Sequence, residues 1–257
     1  MVGKRQALRP SVRRAAIHEI IEKTGGASVD ALAERFDAST ETVRRDLNAL
    51  AKAGRVRKVH GGAVKASITP EGLFEERLAV NAQAKQEIAE KLSKLVEPGQ
   101  SIMMDTGSTT LVCAGALAHV RDLTVITNSV RIAQTIASVN NGSRVILLGG
   151  TYRTDNSQTV GAHTCSEISR IRTDHVVLTV TGFDGSGAYD FSESEAQIAR
   201  AMAENTGALT VVADSSKFGR NSTFKVCNLE RIDRLVLESN PLPDAKAALI
   251  AAGIAVI

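Results

Sequence analysis

The sequence predicts an α/β protein in two parts: a small, basic, mostly helical N-terminal unit and a large unit built on a mainly parallel sheet. Three observations predict it. From residue 101 onward, short apolar runs alternate with helix-like segments, the pattern of strands joined by crossover helices. Residues 28–63 read instead as two short helices, a tight turn and a cationic hairpin. Charge is also shared unevenly. Residues 1–65 hold 14 lysines and arginines against 7 acidic residues, and residues 66–257 hold 17 against 21. At 257 residues the chain has room for one small and one large domain. The expected boundaries are 1–65, a linker at 66–81, and 82–257.

The first nine residues form a basic tail. Pro10 to Lys23 reads as a helix with Ala16, Ile17, Ile20 and Ile21 on its inner face. A second helix runs from Ser28 through Phe36. A third starts at Ser39 and ends near Ala53-Gly54. On it, Val43, Leu47 and Leu50 share one side, and Thr42, Arg44, Arg45 and Asn48 share the other. Ser39 is a suitable N-cap that turns Thr40, Glu41 and Thr42 outward together. Arg55, Arg57, Lys58 and His60 follow, closed by Gly61-Gly62. Three helices and this hairpin make a winged helix-turn-helix. A helix of major-groove width beside a cationic wing suits double-stranded DNA, with Thr40, Thr42, Arg44, Arg45, Arg57, Lys58 and His60 as the contacting residues. The plainer alternative is a solvated, charged helix face; the charge asymmetry weighs against it.

The linker opens with Ala66-Ser67-Ile68-Thr69-Pro70-Glu71-Gly72, small and polar residues with a proline and a glycine. A helix near Ala82 to Leu95 follows and is ended by Pro98-Gly99. The expected strands are Ser101–Met104, Thr124–Thr127, Arg144–Leu148, Val176–Val180, Leu209–Ala213, Arg234–Leu237 and Ile254–Ile257. The expected helices lie near Thr109–Ala118, Ser129–Val139, His163–Arg170, Glu193–Asn205 and Asp244–Ala252. A parallel sheet covered on both faces binds ligands outside the C-terminal ends of its strands.

The junctions at that edge supply the candidate ligand residues. Met104 to Thr110 links a strand to a helix: Gly107 permits close approach, Ser108, Thr109 and Thr110 offer hydroxyls beside free backbone N–H groups, and Asp105 is an acceptor for hydroxyls. An isolated turn of this kind is more often a plain N-cap, but the other junctions add to it. Asn128 follows the second strand, Gly149 and Arg153 the third, Asp184 the fourth and Lys217 the fifth. Arg153 and Lys217 are counter-charges for a phosphate; Asp184 and Glu195 are hydroxyl acceptors, Glu195 having the alternative of a solvated helix face.

Composition bounds the rest. Apolar residues make up 43% of the chain, tryptophan is absent and aromatics are 3%, so the cores are built from Ala, Val, Ile and Leu. Cys113, Cys165 and Cys227 are odd in number and show no metal spacing, which argues for a reducing cytoplasm and against a zinc site or a disulfide framework. No secretory signal is expected at the N-terminus. The apolar stretch Ala247 to Ile257 is too short to span a bilayer, and no membrane partner is expected. No cofactor or metal is expected.

The run Thr42-Val43-Arg44-Arg45-Asp46-Leu47, with Leu50, Gly54 and Arg57-Lys58-Val59-His60-Gly61-Gly62-Ala63, resembles the DNA-binding head of the DeoR-type (DeoR/GlpR) bacterial repressors. The large domain carries, in order, an Asp-x-Gly-Ser-Thr turn, Thr-Asn, Gly-Gly and Asp-x-Ser-Lys-Phe-Gly, and these resemble the effector domain of the same family. The resemblance implies a fold like ribose-5-phosphate isomerase and a sugar or sugar-phosphate effector. It places Ser108, Thr109, Thr110 and Lys217 near a phosphate, and Asp105, Asn128 and Asp184 near hydroxyls. It also implies a homodimer or homotetramer on operator DNA. Residues 187–192, Gly-Ala-Tyr-Asp-Phe-Ser, depart from a Gly-Leu-Thr-Thr-like segment common in the family. Tyr189 and Phe191 there either stack on a sugar or pack internally, and Asp190 repels a nearby phosphate. The rival reading is a sugar-phosphate isomerase carrying a DNA-binding appendage, with Asp184 or Glu195 as its base; nothing in the sequence requires one.

Overall fold

A computed structural model describes residues 9–52, 55–59, 61–65, 72–220, 222–241 and 243–257. The chain divides into two compact units, residues 1–68 and 69–257.

In the first unit α1 (Pro10–Thr24), α2 (Val29–Phe36) and α3 (Thr40–Lys52) surround one core, and β2 (Val56–Val59) and β3 (Gly62–Lys65) form the wing. A short strand, β1 (Gly26–Ser28), adds to β3 to give a three-stranded antiparallel sheet. Ile17, Ile21, Leu32, Val43, Leu47, Leu50 and Val56 fill the core. The 3.6-residue period of α3 thus buries its apolar side and leaves Arg44 and Arg45 exposed. Ser28 caps α2, its hydroxyl accepting from Ala31 N at 3.1 Å. Gly62 is required by packing: a Cβ there would sit 2.4 Å from the Ala27 carbonyl oxygen across the β1–β3 pair.

The second unit begins with α4 (Phe74–Ala79) and α5 (Ala82–Ser93). The alternating segment then runs β4 (Ser101–Met104), α6 (Ser108–Leu117), β5 (Thr124–Thr127), α7 (Val130–Ala137), β6 (Arg144–Leu147), β7 (Thr151–Arg153), β8 (Gln158–Val160), α8 (Ala162–Ile168), β9 (Thr173–Thr179), β10 (Gly182–Asp184), β11 (Gly187–Asp190), α9 (Glu193–Glu204), β12 (Thr206–Val212), β13 (Phe224–Cys227), β14 (Arg234–Val236), α10 (Pro243–Ala251) and β15 (Ala255–Val256). Among the described residues the main sheet has seven parallel strands in the order β15-β14-β12-β9-β4-β5-β6.

Alternation along each strand divides the core in two. Ile102 and Met104 join α5, α6 and α7 on one face, whereas Met103 joins α8, α9 and α10 on the other. The strand order also contains the feature that positions the site. The chain builds outward from β4 through β5 to β6, then returns to lay β9 on the opposite side of β4 and builds outward again through β12, β14 and β15. The order therefore reverses between β4 and β9, and the connections there diverge to leave a crevice.

Besides the short strand β1, three features differ from the sequence reading. Residues 74–79, expected within a linker, form α4, whose Phe74 is buried in the second unit. The β7–β8 hairpin and the small β10-β11-β13 sheet were not expected. The basic tail, apart from Arg9, and the linker residues 66–71 lie outside the described residues. Among the described residues no helix is long and apolar enough to cross a membrane. No cluster of three or more His, Cys, Asp or Glu side chains suited to a metal is found among them either. Burial pushes the thiols of Cys113, Cys165 and Cys227 upward, toward the unreactive form.

Candidate functional site

The head presents α3 with its first turn organised by Ser39. The Ser39 hydroxyl accepts from Thr42 N at 3.2 Å and pairs with the Thr42 hydroxyl at 2.9 Å. Thr40 and Thr42 are half-buried, and Arg44 and Arg45 are exposed. Arg45 Nε lies 3.5 Å from Glu41 Oε1, one turn back, where solvent screens the pair. Lys58 of the wing donates to Asn48 Oδ1 at 2.6 Å, so wing and third helix hold each other. Arg57 lies in β2, and His60 lies outside the described residues. Beneath the exposed face, Arg13 Nε of α1 donates to Asp46 Oδ2 of α3 at 2.6 Å, with the two side chains 10% and 7% exposed. This contact fixes α3 on α1 and was not read from the sequence, although Asp46 sits inside the Arg-Arg-Asp-Leu run.

In the second unit a cleft of about 620 Å3, counting its open mouth, occupies the switch point. Thr106, Ser108 and Thr109 line it from the β4–α6 turn, and Thr179, Val180 and Thr181 from the end of β9. Asp214, Ser216, Lys217 and Arg220 enter after β12, Asp190 from the end of β11, Glu195 from α9, and Arg77, Val80, Asn81 and Lys85 from α4, α5 and the corner between them. Four cations, three carboxyls and a helix N-terminus therefore face one space. Gly107 makes the floor possible: a Cβ there would stand 2.1 Å from Thr179 Cγ2.

The carboxyls differ in environment. Asp105 is buried behind the lining, and both its oxygens accept from Thr179 N, at 3.2 and 3.1 Å, tying β4 to β9. Burial pushes its pKa well above the usual carboxylate range, and Asp190 and Glu195 add to this. Glu195 Oε1 accepts from Asn156 Nδ2 at 3.0 Å and Gln158 Nε2 at 2.7 Å. Burial, and then the charge of Asp190, push the Glu195 carboxyl up to about 7. Asp214 Oδ1 accepts from Asn81 Nδ2 at 3.0 Å and from Ser216 N at 3.1 Å, joining the α4–α5 corner to the loop that carries Lys217. Arg77 donates to Asn156 Oδ1 at 2.8 Å. Lys85 donates to the carbonyls of Arg77 and Val80, the latter at 2.6 Å.

Of the effector residues expected from sequence, Ser108, Thr109, Glu195 and Lys217 line the cleft. Thr110 turns its hydroxyl back to the carbonyls of Asp105 and Gly107, both at 3.2 Å, and is fully buried. Asn128 is buried one layer behind, bound to Thr106 Oγ1 at 3.1 Å and the Thr159 carbonyl at 2.9 Å. Gly149 is bonded to Glu167, and Arg153 to Asp155 and Ser194; neither lines the cleft. Asp184 is exposed and engaged by Ser186, whose hydroxyl also meets the Tyr189 hydroxyl at 2.7 Å. Tyr189 stands outside the lining with Lys225 5.9 Å from its ring, and Phe191 lies under Arg220. The sequence reading missed Arg77, Asn81, Lys85 and Arg220, and named Asp214 only as part of the Asp-x-Ser-Lys-Phe-Gly run without a role. The first two sit where a linker was expected; Arg220 directly follows the Ser-Lys-Phe-Gly run and was legible there.

Comparison with known proteins decides the class. Residues 80–239 match the DeoR C terminal sensor domain, and residues 13–69 match the DeoR-like helix-turn-helix domain. The chain belongs to the DeoR family. The glycerol-3-phosphate regulon repressor of Escherichia coli K12 is 31% identical over 235 residues, 91% of this chain and 93% of the relative. The regulator GolR of Listeria innocua is 32% identical over 90% of this chain and 91% of its own length. The regulator GlpR of Haloferax volcanii is 30% identical over 96% and 97%. This DeoR-family chain is thus a helix-turn-helix transcriptional repressor and not the isomerase-type enzyme of the rival reading. Among solved structures, ribose 5-phosphate isomerase A of Neisseria gonorrhoeae overlaps 52% of each chain at 16% identity with a TM-score of 0.38, too loosely to bear on function.

Proposed function

We propose that this repressor controls carbohydrate-metabolism genes by binding double-stranded operator DNA through α3 and the wing, and that a sugar or sugar phosphate in the switch-point cleft sets its DNA affinity. The observation that carries this reading is the cleft's mixed lining. Arg77, Lys85, Lys217, Arg220 and the N-terminus of α6 favour an anion. Asp190, Glu195 and Asp214 are acceptors that suit hydroxyl groups. An acidic residue repels a phosphate but satisfies a polyol, so one molecule carrying both groups uses both sides. A phosphorylated sugar or polyol has that composition. The name of the Escherichia coli relative points to the same class.

On the DNA side, Arg44, Arg45, Thr40, Thr42, Arg57, Lys58 and His60 remain the proposed contacts, with Arg45 exchanging Glu41 for DNA. Two heads reading two half-sites require at least a dimer. The effector acts by binding one DNA-affinity state better than the other. The test is thermal unfolding of the full chain against a panel of three- to six-carbon sugars and their phosphates. A ligand at 100 times its Kd adds about 2.7 kcal/mol of stability, enough to raise the transition measurably. Ser108→Asp, which puts a carboxylate at the α6 N-terminus, removes the shift for phosphorylated ligands. An undiminished shift in that variant sinks the placement.

A further inference from the structure

Arg220 was absent from the sequence reading, yet the structure builds a seat for it. The loop that carries it is docked at four points on β10 and on Thr181 just before it. Gly219 N donates to the Phe183 carbonyl at 2.8 Å. The rings of Phe218 and Phe183 meet edge to face, 5.5 Å apart at 75°. Ser222 Oγ pairs with Thr181 Oγ1 at 2.8 Å. The backbone of Arg220 itself passes so close to Gly182 that a Cβ there would fall 2.1 Å from the Arg220 carbonyl oxygen. The side chain then crosses the Phe191 ring, its guanidinium carbon 5.2 Å from the centroid, and lines the cleft. Lys217, from the same loop, is a compact charge on a flexible stem. A guanidinium drawn to a ring face samples fewer orientations than one free in solvent, and its planar donor fork matches two oxygens of a phosphate.

We propose that Arg220 is the specificity-determining residue of this cleft, selecting ligands that carry a phosphate over their neutral counterparts, and that Phe191 is its positioning residue. The inference rests on the cleft being the effector site. It also gives the aromatic departure at residues 187–192 a role: Phe191 serves the arginine and not the sugar. Pre-orientation lowers the ordering cost that a long side chain otherwise adds on binding.

The experiment is calorimetric titration of the full chain with inorganic phosphate and with a panel of three- to six-carbon sugar phosphates and the matching free sugars. Arg220→Gln, Phe191→Leu, the double variant and Ser108→Asp are compared with the unsubstituted chain. Loss of a charge-assisted hydrogen bond predicts that Arg220→Gln weakens the phosphorylated ligand about 10- to 100-fold while changing a neutral sugar less than about 2-fold. Phe191→Leu, which keeps an apolar side chain, weakens it about 3-fold or more when Arg220 is present and has no further effect in Arg220→Gln. Equal effects of Phe191→Leu in both backgrounds overturn the positioning role. Unchanged affinity in Arg220→Gln, with binding lost in Ser108→Asp, overturns the Arg220 assignment and leaves the cleft reading standing. If the unsubstituted chain binds no member of the panel, the cleft reading itself fails and takes this inference with it.

Discussion

The ion pair beneath the DNA-binding face gives the sharpest energetic prediction. Arg13 and Asp46 are 10% and 7% exposed and 2.6 Å apart, so neither is well hydrated. Replacing Asp46 with Ala leaves the Arg13 guanidinium buried without that carboxylate, and such a loss typically costs about 3–5 kcal/mol. A head of roughly 60 residues has a total stability of about this size. Asp46→Ala therefore unfolds the head near room temperature while the larger unit, with two cores of its own, stays folded. Replacing both partners, Arg13→Met with Asp46→Leu, removes the desolvation cost together with the attraction, and stability returns to within about 1 kcal/mol or improves. The assay is urea unfolding of the full chain followed by far-UV circular dichroism, read as two transitions, with DNA binding measured in parallel. The single variant loses its low-denaturant head transition and its DNA binding; the double variant regains both. A single variant within about 1 kcal/mol of the parent would refute the argument, because it would mean that solvent already screens the pair.

Other predictions follow from single positions. Gly107→Ala forces a Cβ to within 2.1 Å of Thr179 Cγ2 and, as overpacking, costs about 1–3 kcal/mol with loss of ligand binding, which thermal unfolding and titration both read. Glu195 has its carboxyl raised to about 7 from an unfolded value of 4.5, so between those values the folded chain holds a proton that the unfolded chain has released. Its contribution to stability is thus full below pH 4.5 and is lost as pH rises through 7. Glu195→Gln removes this loss, so the stability of the variant relative to the parent rises from pH 5 to pH 7 in urea titrations; parallel pH profiles would contradict it. Arg45→Ala costs about 1–3 kcal/mol of operator affinity and relaxes one base position if the side chain reads a base, whereas a phosphate contact weakens all sequences alike and flattens the salt dependence.

Much of the fold was legible because its signals are local and periodic. Val43, Leu47 and Leu50 mark one helix face, and Ile102, Met103 and Met104 mark a strand buried on both sides. Strand–helix alternation then leads to a parallel sheet, and a parallel sheet to an edge where ligands bind. What escaped was nonlocal or short. β7, β8, β10 and β11 have three or four residues each, too few to show a period. Phe74 and Arg77 were hidden by the Pro70 and Gly72 beside them, which read as a linker; the helix forms because Phe74 finds a buried place between Arg77 and Arg131, whose guanidinium carbons lie 5.2 and 4.4 Å from its ring. Asp184 was grouped with the cleft from its place after a strand and Tyr189 from its ring, but the β10–β11 hairpin turns Asp184 into solvent against Ser186. Gly149 precedes the β7–β8 hairpin and Arg153 ends its first strand, and neither lines the cleft. Within the turn at residues 105–110, Ser108 and Thr109 line the cleft, whereas Asp105 and Thr110 are drawn inward by bonds to Thr179 N and to the carbonyls of Asp105 and Gly107, and the Thr179 contact is nonlocal.

The central claim is that occupancy of the cleft sets DNA affinity in the head, and one measurement tests it directly. An operator is first selected from random duplex DNA by repeated rounds of binding to the full chain. Its Kd is then measured with and without each sugar phosphate of the panel, on the unsubstituted chain and on Ser108→Asp. Coupling of this kind commonly amounts to about 1–3 kcal/mol, or roughly 5- to 150-fold in Kd. The account predicts a shift in that range for the unsubstituted chain with at least one phosphorylated ligand, and none for the variant, whose DNA affinity without ligand is unchanged. An operator affinity that ignores every ligand, or a variant that responds as the parent does, would contradict it.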